Sequence, residues 1–130
     1  IQAAILLEKL AIFDNELRAR NRVAESYSQV LAKSFSVPKV PAGYLSSWAQ
    51  YTLIAENRDH YMAELKHKNI PSVVYYGCCM HQQSAFAYLG YKKGDFKVSE
   101  SLSQQVFSLP MHPYLSDEQI NTVTQMLCKI

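Results

Sequence analysis

Glycine is scarce in this chain. Four glycines in 130 residues stand apart, at positions 43, 77, 90 and 94, so no loop of closely spaced glycines is available to cradle a phosphate, and the nucleotide-binding signatures built on such loops are excluded. Cysteine is scarce as well. Cys78 and Cys79 are adjacent and Cys128 lies far along the chain; adjacent residues rarely bridge and an odd count leaves one thiol over, so no disulfide framework is expected. Long apolar runs are missing. The run near the N-terminus, residues 3–7, stops at Glu8 and Lys9, too short to span a bilayer or to form the core of a secretion signal, which predicts a cytoplasmic protein with no membrane partner. Neither sign of charge dominates: thirteen basic and eleven acidic residues leave a formal net charge of +2. The basic groups Lys66, His67, Lys68 and the pair Lys92, Lys93 are short and separated rather than clustered on one face, so no nucleic-acid partner is expected.

What the chain does have is enough apolar material to fold. A hydrophobic fraction of 48% with 18% charged residues excludes strong disorder, and the length is that of one domain. From residue 2 to about residue 35, Leu6, Leu10, Phe13, Leu17, Ala24, Leu31 and Phe35 keep a helical period. Asp14 or Asn15 supplies a cap for a second helix, so one long helix and two packed ones both fit. Ile1 opens in mid-pattern with no capping residue before it. The chain is therefore expected to be a piece of something longer, with Ile1, Ile5, Leu6 and Leu7 burying against another copy in a homodimer or higher oligomer or by helix exchange.

Pro38 and Pro41 make residues 36–43 an extended linker. Residues 48–54 alternate, Ala49, Tyr51 and Leu53 on one face and Trp48, Gln50 and Thr52 on the other, which predicts a half-buried strand. Asn57 is placed to cap a helix through Lys68 with Tyr61, Met62 and Leu65 inward, and Asn69 to take a left-handed closing position before Ile70 and Pro71. A second strand is predicted over 72–76, a loop over 77–83 and a short helix over 84–89 ended by Gly90. Asp95 is expected to cap a helix over 96–105 with Val98 and Leu102 inward, leading to a third strand at 106–109. After Pro110 and Pro113, Ser116 and Gln119 have the spacing of a capping box, Leu115 and Ile120 that of a hydrophobic staple, and Ile120, Val123, Leu127 and Ile130 form one stripe. Together these elements predict an α+β fold: a small three-stranded, mainly antiparallel sheet packed with helices over residues 36–130, preceded by a long N-terminal helical segment over residues 1–35.

Chemistry is thinly represented. Cys78, Cys79 and His81 fall short of a zinc site, which wants a fourth ligand and wider thiolate spacing, so no metal is expected. Cys78 with His81 as nucleophile and base lacks an orienting acid near in sequence. His112, between Met111 and Pro113, reads as a hydrogen-bonded turn histidine, and His60 and His67 as residues of a solvated helix. Taken alone, Tyr75 and Tyr76 are alternating strand residues, one inward and one outward, followed by a turn histidine.

Four segments carry a resemblance. IQAAILLEKL at 1–10, WAQYT at 48–52, LGYKKGDF at 89–96 and SLPMHPYLSDEQ at 108–119, in that order along the chain, resemble the C-terminal region of the DegT/DnrJ/EryC1/StrS family of pyridoxal-phosphate-dependent nucleotide-sugar aminotransferases. The resemblance implies the small domain of a fold-type I aminotransferase. The lysine that forms the Schiff base, the carboxylate at the pyridinium nitrogen and the phosphate cup would all lie in a large domain upstream, which would bind pyridoxal 5'-phosphate. No catalytic or cofactor-binding residue is then expected here, and the chain alone should be inactive. The implied reaction moves an amino group from glutamate to a nucleotide-linked keto sugar for surface polysaccharide or deoxyaminosugar synthesis. Tyr75, Tyr76 and His81 match a family pattern that edges the nucleotide-sugar pocket. The chain departs from that pattern at Gly77 and Cys79, where the family usually has prolines, and their loss loosens the loop. The alternative is a non-catalytic interaction or regulatory module that docks through its N-terminal helix.

Overall fold

The computed structural model describes residues 1–130. Helix α1, Gln2–Leu31, is a single unbroken helix. Neither capping candidate interrupts it, and the Asn15 side chain instead accepts from the Arg18 guanidinium one turn on, at 2.5 Å. Burial changes sharply along its length. Val23, Ala24, Tyr27 and Leu31 are buried, a spacing that puts all four on one face, whereas Ile1, Ile5, Leu6, Leu7, Leu10, Ile12 and Phe13 are all exposed. The helical period therefore runs the full length while only its last third reaches the core.

Strands β1, Tyr51–Ile54, and β2, Val106–Leu109, pair antiparallel, with Tyr51 opposite Leu109 and Leu53 opposite Phe107. All four side chains are buried. Beside them, Thr52 Oγ1 and Ser108 Oγ lie 2.8 Å apart, a polar cross-strand pair whose hydroxyls satisfy each other. The first strand begins later than its alternation predicts because Trp48 is left-handed, at φ 48°, a conformation that no strand residue holds. Its indole turns back instead, donating to Asn21 Oδ1 at 3.0 Å and lying 5.6 Å from the Tyr51 ring, and Ala49 and Gln50 are left exposed.

The expected three-stranded sheet is two-stranded, and the third strand shrinks to one antiparallel bridge between Val73 and Ser108. Val73 N–H donates to the Ser108 carbonyl at 3.1 Å and Ser108 N–H returns the bond at 2.7 Å. The ladder cannot extend either way. In this register the next bonded pair on one side would be Pro71 with Pro110, neither of which has an N–H to give. On the other side it would be Tyr75 with Val106, but Val106 N–H is already donated to the Leu102 carbonyl at the end of the preceding helix. Residues 74–76 therefore leave the sheet edge.

Helix α2, Arg58–His67, buries Leu65 and lays Tyr61 against Phe35, 5.1 Å between centroids, and Phe107, 6.2 Å. Asn57 occupies its capping position without a side-chain bond. Asn69 is left-handed as its sequence context requires, at φ 57°. Residues 84–89 form a 3-10 helix closed by Gly90 at φ 76°. Helix α3, Lys97–Gln105, runs into β2 with no intervening loop, and two expectations fail there. Asp95 does not cap it, since its carboxylate accepts instead from Lys92 N–H at 2.8 Å. Nor do Val98 and Leu102 face the core: both are exposed and Ser103 is the buried residue, because continuity with β2 fixes which way the helix is rotated.

Helix α4, Asp117–Leu127, has the capping box complete: Gln119 N–H donates to Ser116 Oγ at 3.2 Å and Ser116 N–H to Gln119 Oε1 at 3.0 Å. Leu115 and Ile120 are buried beside it, and Val123, Thr124 and Leu127 continue the buried face. Arg22 of α1 ties the two helices, donating to the Leu115 carbonyl at 2.9 Å and pairing with Asp117. The last third of α1 joins α2, α4 and the sheet in one apolar cluster. No helix is long and apolar enough to cross a membrane.

Candidate functional site

Once Val73 has paired with Ser108, the chain is free of the sheet, and Tyr75 and Tyr76 turn outward. Tyr76 is 76% exposed and Tyr75 42%. Their rings meet edge to face, 6.1 Å apart at 79°, one of the arrangements that aromatic quadrupoles prefer. With Met80, Leu102 and Val106 they line an open groove of about 450 Å³ between this segment and α3. A wall of phenol rings over an apolar floor suits a flat or sugar ring, with hydroxyls at the rim to take up its polar edge.

His81 lies one groove over. It sits in the 3-10 turn Met80–Gln82 with its ring 4.7 Å from Phe96, and it lines a neighbouring apolar pocket of about 390 Å³ with Phe86, Leu89 and Tyr91. Cys79, Met80 and Ser99 are shared by the linings of the two hollows. Of the three residues expected at the site, the structure thus brings the two tyrosines together and sets the histidine behind them. The histidine is not free: its side chain is 7% exposed and its Nε2 is 2.9 Å from Glu100 Oε1.

Glu100 is the residue that the sequence reading missed. It stands in the first turn of α3, where a carboxylate is favoured by the helix N-terminus and can reach back to unsatisfied amides. Gly94 N–H donates to its two oxygens at 2.8 and 2.9 Å, and Phe96 N–H at 3.4 Å. The Gly94 amide above all, with His81 and Phe96 assisting against the cost of burial, holds the carboxyl below the usual carboxylate value. An orienting acid for His81 therefore exists, supplied by the fold rather than by a sequence neighbour. The one available signal was an acidic residue in the first turn of a predicted helix.

The other candidates resolve simply. Cys78 is exposed with its thiol toward the Cys79 carbonyl at 3.6 Å, and Cys79 is buried; Cys78, Cys79 and His81 do not converge on a common point. His112 Nδ1 accepts from Tyr114 N–H at 3.2 Å, the turn contact expected of it. His60 and His67 are exposed on α2.

The model of the DegT/DnrJ/EryC1/StrS aminotransferase family matches residues 1–128. Over 98% of its length the chain is 37% identical to UDP-2-acetamido-2-deoxy-3-oxo-D-glucuronate aminotransferase of Pseudomonas aeruginosa, covering 35% of that protein. It is 35% identical over 99% of its length to a pleiotropic regulatory protein of Geobacillus stearothermophilus, covering 36% of it. Among solved structures, a DegT DnrJ EryC1 StrS aminotransferase from Brucella abortus matches with a TM-score of 0.92 and 45% identity, over 98% of this chain and 34% of that one. The chain belongs to the DegT/DnrJ/EryC1/StrS aminotransferase family. It spans about a third of the length of the curated relatives it matches.

Pyridoxal phosphate, the cofactor that this family implies, finds no fitting site among these residues. All nine lysines are exposed. Lys9 alone has its amine engaged, by Glu16 at 2.7 Å and Tyr114 at 3.4 Å, and those contacts raise its pKa. A lysine that forms an imine needs the opposite shift.

Proposed function

We propose that this chain is the C-terminal small domain of a pyridoxal-phosphate-dependent aminotransferase that moves an amino group from glutamate to a nucleotide-linked keto sugar in surface polysaccharide or deoxyaminosugar synthesis. Residues 1–35 are the helical lead-in from a large domain that carries the cofactor and the Schiff-base lysine, and residues 36–130 form the small domain. The observation that carries this reading is the end-to-end match of this chain to about a third of the length of sugar aminotransferases, joined to the absence of a lysine suited to the chemistry among its residues. Tyr75 and Tyr76 form one wall of the sugar-nucleotide cleft, with His81 behind them, and the domain closes that cleft against water. The relative from Pseudomonas aeruginosa, whose name specifies a UDP-linked 3-oxo sugar, supports a UDP-linked 3-keto hexose as acceptor. The exposed apolar residues of α1 from Ile1 to Phe13 are the surface on which the rest of the enzyme or a second copy packs, and the working enzyme is a homodimer or larger.

The test is to extend the protein N-terminally to the length of its relatives. The longer protein should show imine absorbance with pyridoxal phosphate and transfer nitrogen from glutamate to a UDP-linked 3-keto hexose, whereas the 130-residue chain should do neither. Absence of any imine-forming lysine upstream would sink the catalytic reading. The second reading, a non-catalytic regulatory module docking through α1, draws on the same exposed helix and on the relative named as a pleiotropic regulatory protein, and that outcome would favour it.

A further inference from the structure

Residues 74–95 are held in an unusual way. Beyond the bonds inside their 3-10 helices, every backbone hydrogen bond made within them is local, from Gln82 to Cys79, Gln83 to Met80, Phe86 to Gln83, Gly90 to Ala87 and Asp95 to Lys92. Their side-chain bonds to Cys79, Met80 and Asp95 are local too. Only two residues of the segment hydrogen-bond to anything outside it, His81 and Gly94, and both bond to the Glu100 carboxylate. Apolar contact adds Val74 against the core, the buried Cys79, and the Phe96 ring set between His81 at 4.7 Å and Tyr91 at 5.1 Å.

We propose that Glu100 is a positioning residue: its carboxylate joins His81 to the Gly94–Phe96 turn and so holds the segment carrying Tyr75 and Tyr76 at a fixed distance from α3, setting the width of the groove between them. The proposal rests on the reading of those tyrosines as a wall of the sugar-nucleotide cleft. The geometry is suited to the task because one rigidly placed acceptor group takes bonds from two places on the segment and from the first turn of the helix opposite, and bonds to a charged acceptor are stronger than neutral ones. Residues 77–83 contain no proline and open on Gly77, so less of the loop's order comes from its own backbone and more from this contact.

The first experiment is amide hydrogen exchange on the 130-residue chain. In Glu100→Gln, protection over residues 77–90 should fall about tenfold, the factor carried by one charge-assisted hydrogen bond, while β2 and α4 keep theirs. His81→Leu should do the same and His81→Gln, which restores a donor near the Nε2 position, should recover most of the protection; loss of packing alone would leave both His81 variants alike. Unchanged protection in Glu100→Gln, or equal loss throughout the domain, overturns the clamp. The second experiment measures UDP binding by calorimetry in the protein extended to the length of its relatives, where Glu100→Gln should weaken binding about tenfold and His81→Gln should restore it. Loosened exchange with unaltered UDP affinity overturns the positioning role. Unaltered affinity in Tyr76→Ala overturns instead the wall reading and leaves the exchange result to judge the clamp.

Discussion

Removing one oxygen from Tyr27 should reverse the order of stability between two pH values. Tyr27 is fully buried, its ring lies 5.1 Å from Tyr51, and its hydroxyl donates to the Pro110 carbonyl at 3.0 Å. Tyr27→Phe keeps the ring and its packing and loses the bond, so at pH 7 the variant should be less stable by about 1 kcal/mol. Burial, and then the neighbouring Tyr51, push the Tyr27 phenol well above its ordinary value of 10.0. A group held protonated in the folded state contributes stability that is fully present below the unfolded value and is lost as pH rises through the folded one. One pH unit above the unfolded value, wild type should therefore have lost about 1.4 kcal/mol through Tyr27, a loss from which the variant is exempt. Tyr51, also pushed up by burial, is common to both proteins and cancels. Urea unfolding followed by circular dichroism should show wild type ahead at pH 7 and the variant slightly ahead by about pH 11. Parallel curves, with the gap unchanged between those pH values, would refute the assignment of Tyr27 as a buried, neutral donor.

Ser116→Ala removes the hydroxyl half of the capping box and should cost about 1 kcal/mol in the same unfolding assay, with Thr in its place recovering most of it. Leu65→Ala empties a fully buried site between α2 and the sheet and should cost about 2–5 kcal/mol; a loss under 1 kcal/mol would mean that α2 is not docked as described. The depressed Glu100 carboxyl contributes stability that is present above its ordinary value of 4.5 and is lost as pH falls through the lower folded value. Acid titration of hydrogen exchange, corrected for intrinsic rates, should therefore release residues 77–90 below that value in wild type, and Glu100→Gln should show no such step.

The local signals were easiest to read where chain chemistry alone decides structure. The capping box at Ser116, the left-handed Asn69, the closing Gly90 and the strand at 106–109 all follow from side chains within a few residues of the feature. What escaped the sequence was decided by distant pairing. Residues 72–76 have every preference of a strand, yet Val106 N–H is claimed by Leu102 and Pro71 meets Pro110, so only Val73 finds a partner. Asp95 and Val98 follow their rules in isolation and lose to the rotation that β2 imposes on α3. The same cause separates His81 from the tyrosines and hides Glu100, whose role exists only once the segment has folded back over the helix N-terminus. Resemblance to the family pointed to the overall frame, an α+β fold, but not to which side chains meet.

The seam between α3 and β2 gives the groove an asymmetric mechanics. On one side the backbone passes from α3 to β2 with no slack, pinned further by Ala55 N–H on the Gln105 carbonyl at 3.0 Å, so that flank moves only if the whole interior moves. Across the gap, the aromatic flank has no such continuity. The two flanks therefore differ in what holds them, the interior of the domain on one side and the single Glu100 carboxylate on the other, and loss of that carboxylate should free the tyrosines without disturbing the core.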